Sequence, residues 1–144
     1  MTTTATPAIL TAGHSQNLIT ERAIKQEILD EALVYSYDSR AGLPPELQHV
    51  PDGPGFVITH FYADGRAVMQ ARPNNPEVGE DGKLKKYIFV KGCGSGPFIT
   101  KGRLDKAKGR AKEARIALIV EGTGQGHAAA SWAPEDWLVI HIPG

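Results

Sequence analysis

Apolar residues form two short runs near the carboxyl end of the chain, with an alanine-rich stretch between them. Residues 116–120 and 137–142 are rich in branched aliphatic side chains and have the length of buried strands. The intervening residues 127–133 favour a helix that Pro134 closes. Because a strand, a helix and a second strand follow one another at this spacing, the pattern predicts a parallel βαβ unit.

Earlier in the chain, two apolar runs flank a short polar turn. Residues 56–62 and 67–72 lie on either side of Ala-Asp-Gly-Arg at 63–66, which predicts a β-hairpin. The second strand ends at Pro73, because proline has no amide proton to donate to a ladder. Two further apolar stretches, at 86–90 and 98–99, predict short strands separated by a glycine-containing loop.

Helical spacing occurs once before the hairpin. Ile24, Ile28 and Ala32 recur at intervals of four residues, which predicts a helix over residues 21–34 with Thr20 as its N-cap. A second, polar helix is predicted over residues 103–114, where Gly109 weakens it.

Together these elements predict an α/β fold with two parts. Residues 15–115 form a mixed α/β lobe that contains the antiparallel hairpin, and residues 116–144 form a partial parallel βαβ unit. Residues 1–14 are rich in threonine and alanine and lack periodicity, so we expect a disordered tail.

The composition fits an ordinary globular protein. The chain has 144 residues, of which 41% are hydrophobic, and none of its apolar runs approaches the ~20 residues of a membrane span. Its beginning lacks the basic and apolar regions of a signal peptide. A single cysteine, Cys93, suits a reducing cytoplasm, and the cysteine and histidine spacing matches no zinc motif. We therefore expect a cytoplasmic protein that does not contact membranes.

The overall neutral charge conceals a strongly basic segment. Residues 1–82 carry a net charge of −6, residues 83–115 carry +9, and residues 116–144 carry −3. Concentrated lysine and arginine is what binding to a phosphate backbone requires. The competing interpretation is a solvated, solubilising helix face.

Glu121 is the strongest candidate for chemistry. It follows an apolar strand directly, and the carboxyl ends of parallel strands are where such sheets bind ligands. A carboxylate there can hold Mg²⁺ or act as an acid or base. Alternatively, Glu121 only caps the following helix.

Two glycine-rich segments are weaker candidates. Residues 122–126, Gly-Thr-Gly-Gln-Gly, come close to a dinucleotide-binding fingerprint, but His127 replaces its third glycine. Residues 91–97 match neither that fingerprint nor a Walker loop. Lys91 and the loop amides could meet a phosphate there, or the loop is simply flexible.

A basic and aromatic group lies between the hairpin and the next strand. Arg72 ends one strand and Lys86 begins another, so they can meet at one sheet edge, with Lys85 and Tyr87 beside them. Tyr87 could stack on a base. Equally, Tyr87 belongs to the core and the lysines protect an edge strand from aggregation.

The remaining reactive side chains give no sign of a shared site. Cys93 has no evident partner base. The five histidines show no common spacing, so we expect each to be structural: His14, His49, His60, His127 and His141.

The order of these motifs resembles the catalytic core of Toprim-containing DNA primases of bacterial, phage and plasmid type. A Toprim domain opens with a strand, then Glu-Gly, then a helix, as at residues 116–133. In these primases the part of the chain before the Toprim domain contains a strand pair around an Asp-Gly-Arg turn. An arginine, a Lys-Tyr pair and a glycine-containing loop follow in that order. The same order occurs here: Gly65 and Arg66, Arg72, Lys85 to Tyr87, Lys91 and Gly92, then Gly96 to Phe98. The resemblance covers about residues 15–144.

The resemblance implies functions for particular residues. Glu121 corresponds to the Toprim glutamate of a Mg²⁺-dependent phosphoryl-transfer site. The matching arginine and Lys-Tyr residues, Arg72, Lys85, Lys86 and Tyr87, would lie near the template channel for single-stranded DNA or RNA. Lys91 in the glycine-containing loop, and Lys101 and Arg103 in the basic segment, are further candidates for nucleic-acid binding. A helicase or a carboxyl-terminal remainder of the protein would be a partner. Gly124 and Gly126 depart from the family pattern, in which a lysine and bulkier residues are common.

By itself, the chain is not expected to synthesise primers. Two-metal chemistry needs several carboxylates. The family supplies the others from an Asp-x-Asp motif one βα unit later, which residues 1–144 do not contain. We therefore expect the amino-terminal part of a primase-like protein of a phage or mobile element, a nucleotidyltransferase only when extended. The alternative is a non-catalytic nucleic-acid-binding or protein-interaction module.

Overall fold

The computed structural model describes residues 9–93, 96–100 and 116–142. The helix predicted over residues 103–114 and the candidates Lys101 and Arg103 lie outside these ranges, as do residues 1–8.

Seven strands in the described ranges form one mixed sheet. They are β1 (Tyr35–Tyr37), β2 (Gly55–Tyr62), β3 (Ala67–Pro73), β4 (Ile88–Phe89), β5 (Phe98–Ile99), β6 (Ile116–Glu121) and β7 (Trp137–Ile142). Their order is β4-β3-β2-β5-β7-β6, and β1 pairs with the first residues of β2. Only β6 and β7 pair in parallel. The predicted α/β class, with its antiparallel hairpin and parallel βαβ unit, is confirmed.

Three α-helices pack on this sheet within the described residues. They are α1 (Ala12–Ser15), α2 (Gln26–Glu31) and α3 (Thr123–Trp132), with a π-helical segment at Gln16–Glu21 between the first two. Short 3₁₀ turns occupy Arg40–Gly42 and Pro45–Leu47.

The single helix predicted over residues 21–34 is wrong. Ala23 adopts a left-handed conformation with φ of 56°, which breaks the helical path, and Lys25 rather than Thr20 is the N-cap of α2. The break turns Ile24 into the core, where only 1% of it is exposed. Tertiary packing of one apolar side chain thus outweighs local helical spacing.

The beginning of the described chain is also more ordered than predicted. Residues 9–14 fall within the predicted tail, yet α1 starts at Ala12 with the Thr11 side chain as its cap. The His14 ring is buried and hydrogen-bonds Ser36 and Asn74, which fixes this helix to the sheet.

Strand β2 is the centre of the core because both of its faces are covered. Phe56 and Ile58 belong to a hydrophobic cluster with apolar residues of the amino-terminal helices, while Val57 belongs to a second cluster on the opposite face of the sheet. Alternation of side chains along a strand explains this division. Residues Gly55 to His60 are accordingly all buried.

Strand β6 is more exposed than its sequence predicts. It lies at the end of the described strand order, and Ile116 and Ile119 remain 44% and 65% exposed. The sequence predicted a buried strand here, and that prediction is wrong for β6. Strand β7 lies between β5 and β6.

Close packing explains the glycine-rich segment after β6. Residues 123–126, predicted as part of a loop, form the first turn of α3, and Gly122 precedes them with φ of 89°. A Cβ atom on Gly126 would lie 2.4 Å from the Cβ of His141. Gly126 therefore lets α3 approach β7 closely.

None of the helices in the described ranges is both long enough and apolar enough to span a bilayer.

Candidate functional site

An open cleft of about 370 Å³ lies where β6 ends and α3 begins. Its lining combines three cationic side chains, one aromatic ring and one carboxylate with small polar residues. These residues are Arg22, Arg72, Lys86, Tyr87, Glu121, Gly122, Thr123 and Gln125.

The βαβ unit fixes one wall of the cleft. Glu121 is the last residue of β6, and its side chain is exposed at this wall. The Gly122 amide donates to the Ile142 carbonyl at 2.8 Å, which holds the strand end against β7. Helix α3 starts at the next residue, so its first amides, which have no partner within the helix, lie close to Glu121.

The antiparallel part of the sheet supplies the opposite wall of the cleft. Arg72 lies near the end of β3, and its guanidinium group lies 5.2 Å from the centre of the Tyr87 ring. One face of the ring is thereby covered by a cation. Lys86 is exposed beside it. Arg72 and Lys86 both line the cleft, and Tyr87 is half-buried rather than part of the core.

Arg22 is a member of the cleft that sequence analysis missed. It directly follows the π-helical segment. Arg22 Nε donates a 3.3 Å hydrogen bond to the side-chain oxygen of Asn17, which orients the guanidinium group. Residues 22 and 121 are far apart in the chain, and only the packing of the amino-terminal helices against α3 brings them together. No local pattern marks Arg22.

The charge of the cleft favours an anionic ligand. Three cations face one carboxylate, and in the described residues Glu121 forms no ion pair within 4.0 Å. A phosphate group would gain from the cations and from the start of α3. A bare Mg²⁺ ion fits poorly, since one carboxylate beside three cations does not supply its usual set of oxygen ligands.

The other predicted site residues do not reach this cleft. Lys85 folds back over the turn at residues 79–83, and Lys91 is exposed in the turn after β4. Neither is among the residues that line the cleft.

Three histidines predicted to be separate lie together in the core. His60, His127 and His141 each present a ring nitrogen within 4.8 Å of the others, and all three are buried. Burial in an apolar environment lowers the pKa of all three rings, to about 4 for His60 and about 3 for His141. The sequence contains one signal for this cluster, which is a histidine inside an apolar strand at positions 60 and 141.

Comparison with solved structures shows what the fold is similar to. The zinc-binding and RNA polymerase domains of the Aquifex aeolicus primase match with a TM-score of 0.58 and 16% identity, over 92% of this chain and 38% of that one. The RNA polymerase domain of Mycobacterium tuberculosis primase DnaG, solved with a double-stranded DNA oligomer that has a 6-nucleotide overhang, gives 0.55 and 16%, over 92% and 48%. A second crystal structure of the same domain gives a TM-score of 0.52 and 16% identity, over 89% of this chain and 48% of that one.

These similarities establish a primase-like fold. The resemblance to bacterial-type primases is thus confirmed for the arrangement of the chain, while 16% identity carries no residue role across. The chain spans less than half the length of each of these solved chains. No family model matches the sequence, and no curated protein matches it.

Proposed function

We propose that this chain binds single-stranded nucleic acid through the cleft at the end of β6, as the amino-terminal part of a primase-like replication protein. The observation that carries the proposal is the meeting of Arg22, Arg72 and Lys86 with Tyr87 and Glu121 in one cleft of a primase-like fold. A DNA complex of a similarly folded primase domain adds support.

Each side chain has a distinct part in this proposal. The three cations contact backbone phosphates and release condensed counterions. Tyr87 stacks on a base, a contact that every base can make. Glu121 lies in the same cleft, where its negative charge repels phosphate groups. A sugar hydroxyl of the ligand can approach it.

The catalytic part of the proposal concerns a longer protein. Primer synthesis with Mg²⁺ needs further carboxylates, and the cleft lining contains one. Glu121 would join that metal site only together with the missing acidic motif. A phage, plasmid or mobile-element context, a helicase or carboxyl-terminal partner, and action in the cytoplasm belong to the same proposal.

The alternative is a binding module without chemistry. The single carboxylate among the cleft residues favours it. The primase hypothesis and a nucleic-acid-binding module both require nucleic-acid binding, whereas a protein-interaction module does not, so nucleic-acid binding is the property to test first.

The test measures binding of a fluorescent single-stranded oligonucleotide by anisotropy at several salt concentrations. We expect weak binding that falls steeply with salt, because counterions are released. The double variant Arg72→Gln/Lys86→Gln should bind at least about tenfold more weakly and show a salt dependence shallower by roughly two phosphate contacts.

The matched control is Arg66→Gln. Arg66 is also an exposed arginine of the hairpin, but it pairs with Asp64 at 2.6 Å and lies outside the cleft lining. Its loss should leave affinity within about twofold. Equal losses for the control and the double variant, or binding that salt does not affect, would refute the cleft as the binding site.

A further inference from the structure

The cluster of His60, His127 and His141, hereafter the histidine cluster, joins three separate elements. His60 comes from β2, His127 from α3 and His141 from β7. Their exposed fractions are 1%, 3% and 1%. None of them lines the cleft of the proposed function. The cluster therefore needs its own explanation.

Hydrogen bonding determines which nitrogen of His60 is free to accept. His60 Nε2 lies 2.6 Å from Gln70 Oε1, which can only accept, so Nε2 carries the proton. The neutral ring then has its lone pair on Nδ1. That lone pair faces His141 Nε2 at 3.2 Å.

A purely hydrogen-bonded cluster leaves several buried polar atoms without a partner among the described residues, including Gln70 Nε2. If His141 Nε2 donates to His60, the lone pair of His141 lies on Nδ1. Among the described residues Nδ1 has no hydrogen-bond partner. An unpaired buried polar atom costs roughly 1–3 kcal/mol, and a metal ion bound to His141 Nε2 would leave this cost in place, because Nδ1 then carries the proton. The hydroxyl of Thr100, which is also buried and lacks such a partner, lines the same small cavity as the three rings.

We propose that the histidine cluster binds one divalent transition-metal ion, with Zn²⁺ the best fit. Neutral imidazole is a preferred zinc ligand, and Zn–N bonds of about 2.0–2.1 Å place two nitrogens of a tetrahedral site about 3.3 Å apart. The His60 and His141 nitrogens already lie 3.2 Å apart. The third nitrogen lies no more than 4.8 Å from the others, so its ring must move closer when a tetrahedral site forms.

The surroundings of His60 match those of a zinc ligand, whereas His141 Nδ1 has no hydrogen-bond partner among the described residues. A metal-bound histidine usually donates its other N–H to a carbonyl or carboxylate, as His60 does to Gln70. The adjoining cavity of about 10 Å³ has room for about one water-sized fourth ligand. The ion would stabilise the joint between the antiparallel lobe and the βαβ unit, since it binds the folded state.

The first experiment uses the full chain, stripped of metal with a chelator. Co²⁺ is titrated in while visible absorption reports tetrahedral coordination, and Zn²⁺ is then added as a competitor. We expect one equivalent to bind, Zn²⁺ to displace Co²⁺, and the melting temperature to rise with metal concentration. Absence of stoichiometric binding by the folded wild-type protein, consistent with a buried water only, overturns the proposal.

Matched variants locate the ion. His127→Gln should weaken Co²⁺ binding by at least about 100-fold, and Gln70→Leu by about tenfold through loss of the outer partner of His60. His49→Gln removes an exposed histidine outside the cluster and should change nothing. Binding that survives His127→Gln but is lost in His49→Gln overturns the assignment.

A measurement on the wild-type protein covers the case in which His127→Gln does not fold. Imidazole ¹⁵N resonances distinguish protonated, free and metal-bound nitrogens. Addition of Zn²⁺ should shift one nitrogen in each of His60, His127 and His141, and leave His14 and His49 in place. Shifts confined to His14 or His49 overturn the proposal.

Discussion

At the scale of the residue, Tyr37 shows how a buried side chain can lack a partner. Only 4% of Tyr37 is exposed, and its hydroxyl has no hydrogen-bond partner among the described residues. The ring packs so closely on Gly55 that a Cβ atom there would meet the hydroxyl. Desolvation by burial, with a smaller contribution from Tyr35, raises the pKa of Tyr37 to about 12.

This shift predicts a loss of stability at alkaline pH. Above pH 10 the unfolded chain loses the Tyr37 proton while the folded protein keeps it, so the free energy of unfolding falls between about pH 10 and 12. Tyr37→Phe should reduce that fall by about 2 kcal/mol and leave stability near neutral pH unchanged or slightly higher. Urea denaturation from pH 7 to 12 measures both effects.

Tyr62→Phe, at the half-buried end of β2, is the control for general loss of a hydroxyl. Identical pH profiles for wild type and Tyr37→Phe would contradict the burial argument.

Single residues were predictable from the sequence where their role is local. The position of Glu121 at the end of an apolar strand follows from the strand itself. Arg22 and the histidine cluster were not predictable, because their neighbours come from segments as distant as residues 60 and 141. Only tertiary packing creates those neighbourhoods.

At the scale of the element, packing decides more than periodicity does. The hairpin and the βαβ unit were predicted close to their observed bounds, since turn residues and apolar runs act locally. The predicted helix over residues 21–34 was wrong because Ile24 is buried at a break in the chain. The exposure of β6 was missed for a related reason. An apolar run indicates a strand, but it does not reveal how many layers cover it.

The approach of α3 to β7 gives a prediction for Gly126. Gly126→Ala places a methyl group 2.4 Å from the backbone-proximal Cβ of His141, so the helix must shift. We expect the free energy of unfolding to fall by roughly 2–3 kcal/mol, despite the higher helix propensity of alanine.

Gly13→Ala in α1 provides the comparison, because a Cβ atom there meets nothing within 4 Å. It should be neutral or slightly stabilising. Chemical denaturation of both variants measures the difference, and an equal response would show that α3 can move away from β7 freely.

At the scale of the whole molecule, a neutral chain presents a cationic cleft. Acidic side chains dominate residues 1–82, yet Arg22 and Arg72 from that part join Lys86 at the end of β6. Folding therefore sorts charges in a way that counting along the sequence does not reveal. The basic segment predicted at residues 83–115 contributes Lys86 to the cleft, and its residues from 101 onward lie outside the described ranges.

The one carboxylate in this cleft gives a prediction that separates folding from binding. Glu121→Gln should change the free energy of unfolding by less than ~1 kcal/mol, because the side chain is exposed and its substitution breaks no buried ion pair. It should raise affinity for single-stranded DNA by about two- to fivefold at low salt, since a charge that repels phosphate is removed.

Anisotropy titrations at low and moderate salt measure this gain, which should shrink as salt increases. Asp136→Asn, a change of the same charge outside the cleft lining, should have little effect. Weaker binding by Glu121→Gln would contradict the proposed arrangement. In a longer protein that carries the further acidic motif, the same change should abolish Mg²⁺-dependent synthesis.

The short strand β5 joins the two halves of the sheet. It pairs with β2 through two residues and with β7 through the same two, so the ladder that joins the two halves of the sheet is narrow. By contrast, β2 and β3 share seven residue pairs, and β6 and β7 share six. Within the sheet, separation of the two halves therefore requires breaking only the pairs that Phe98 and Ile99 make, while the longer ladders inside each half stay closed.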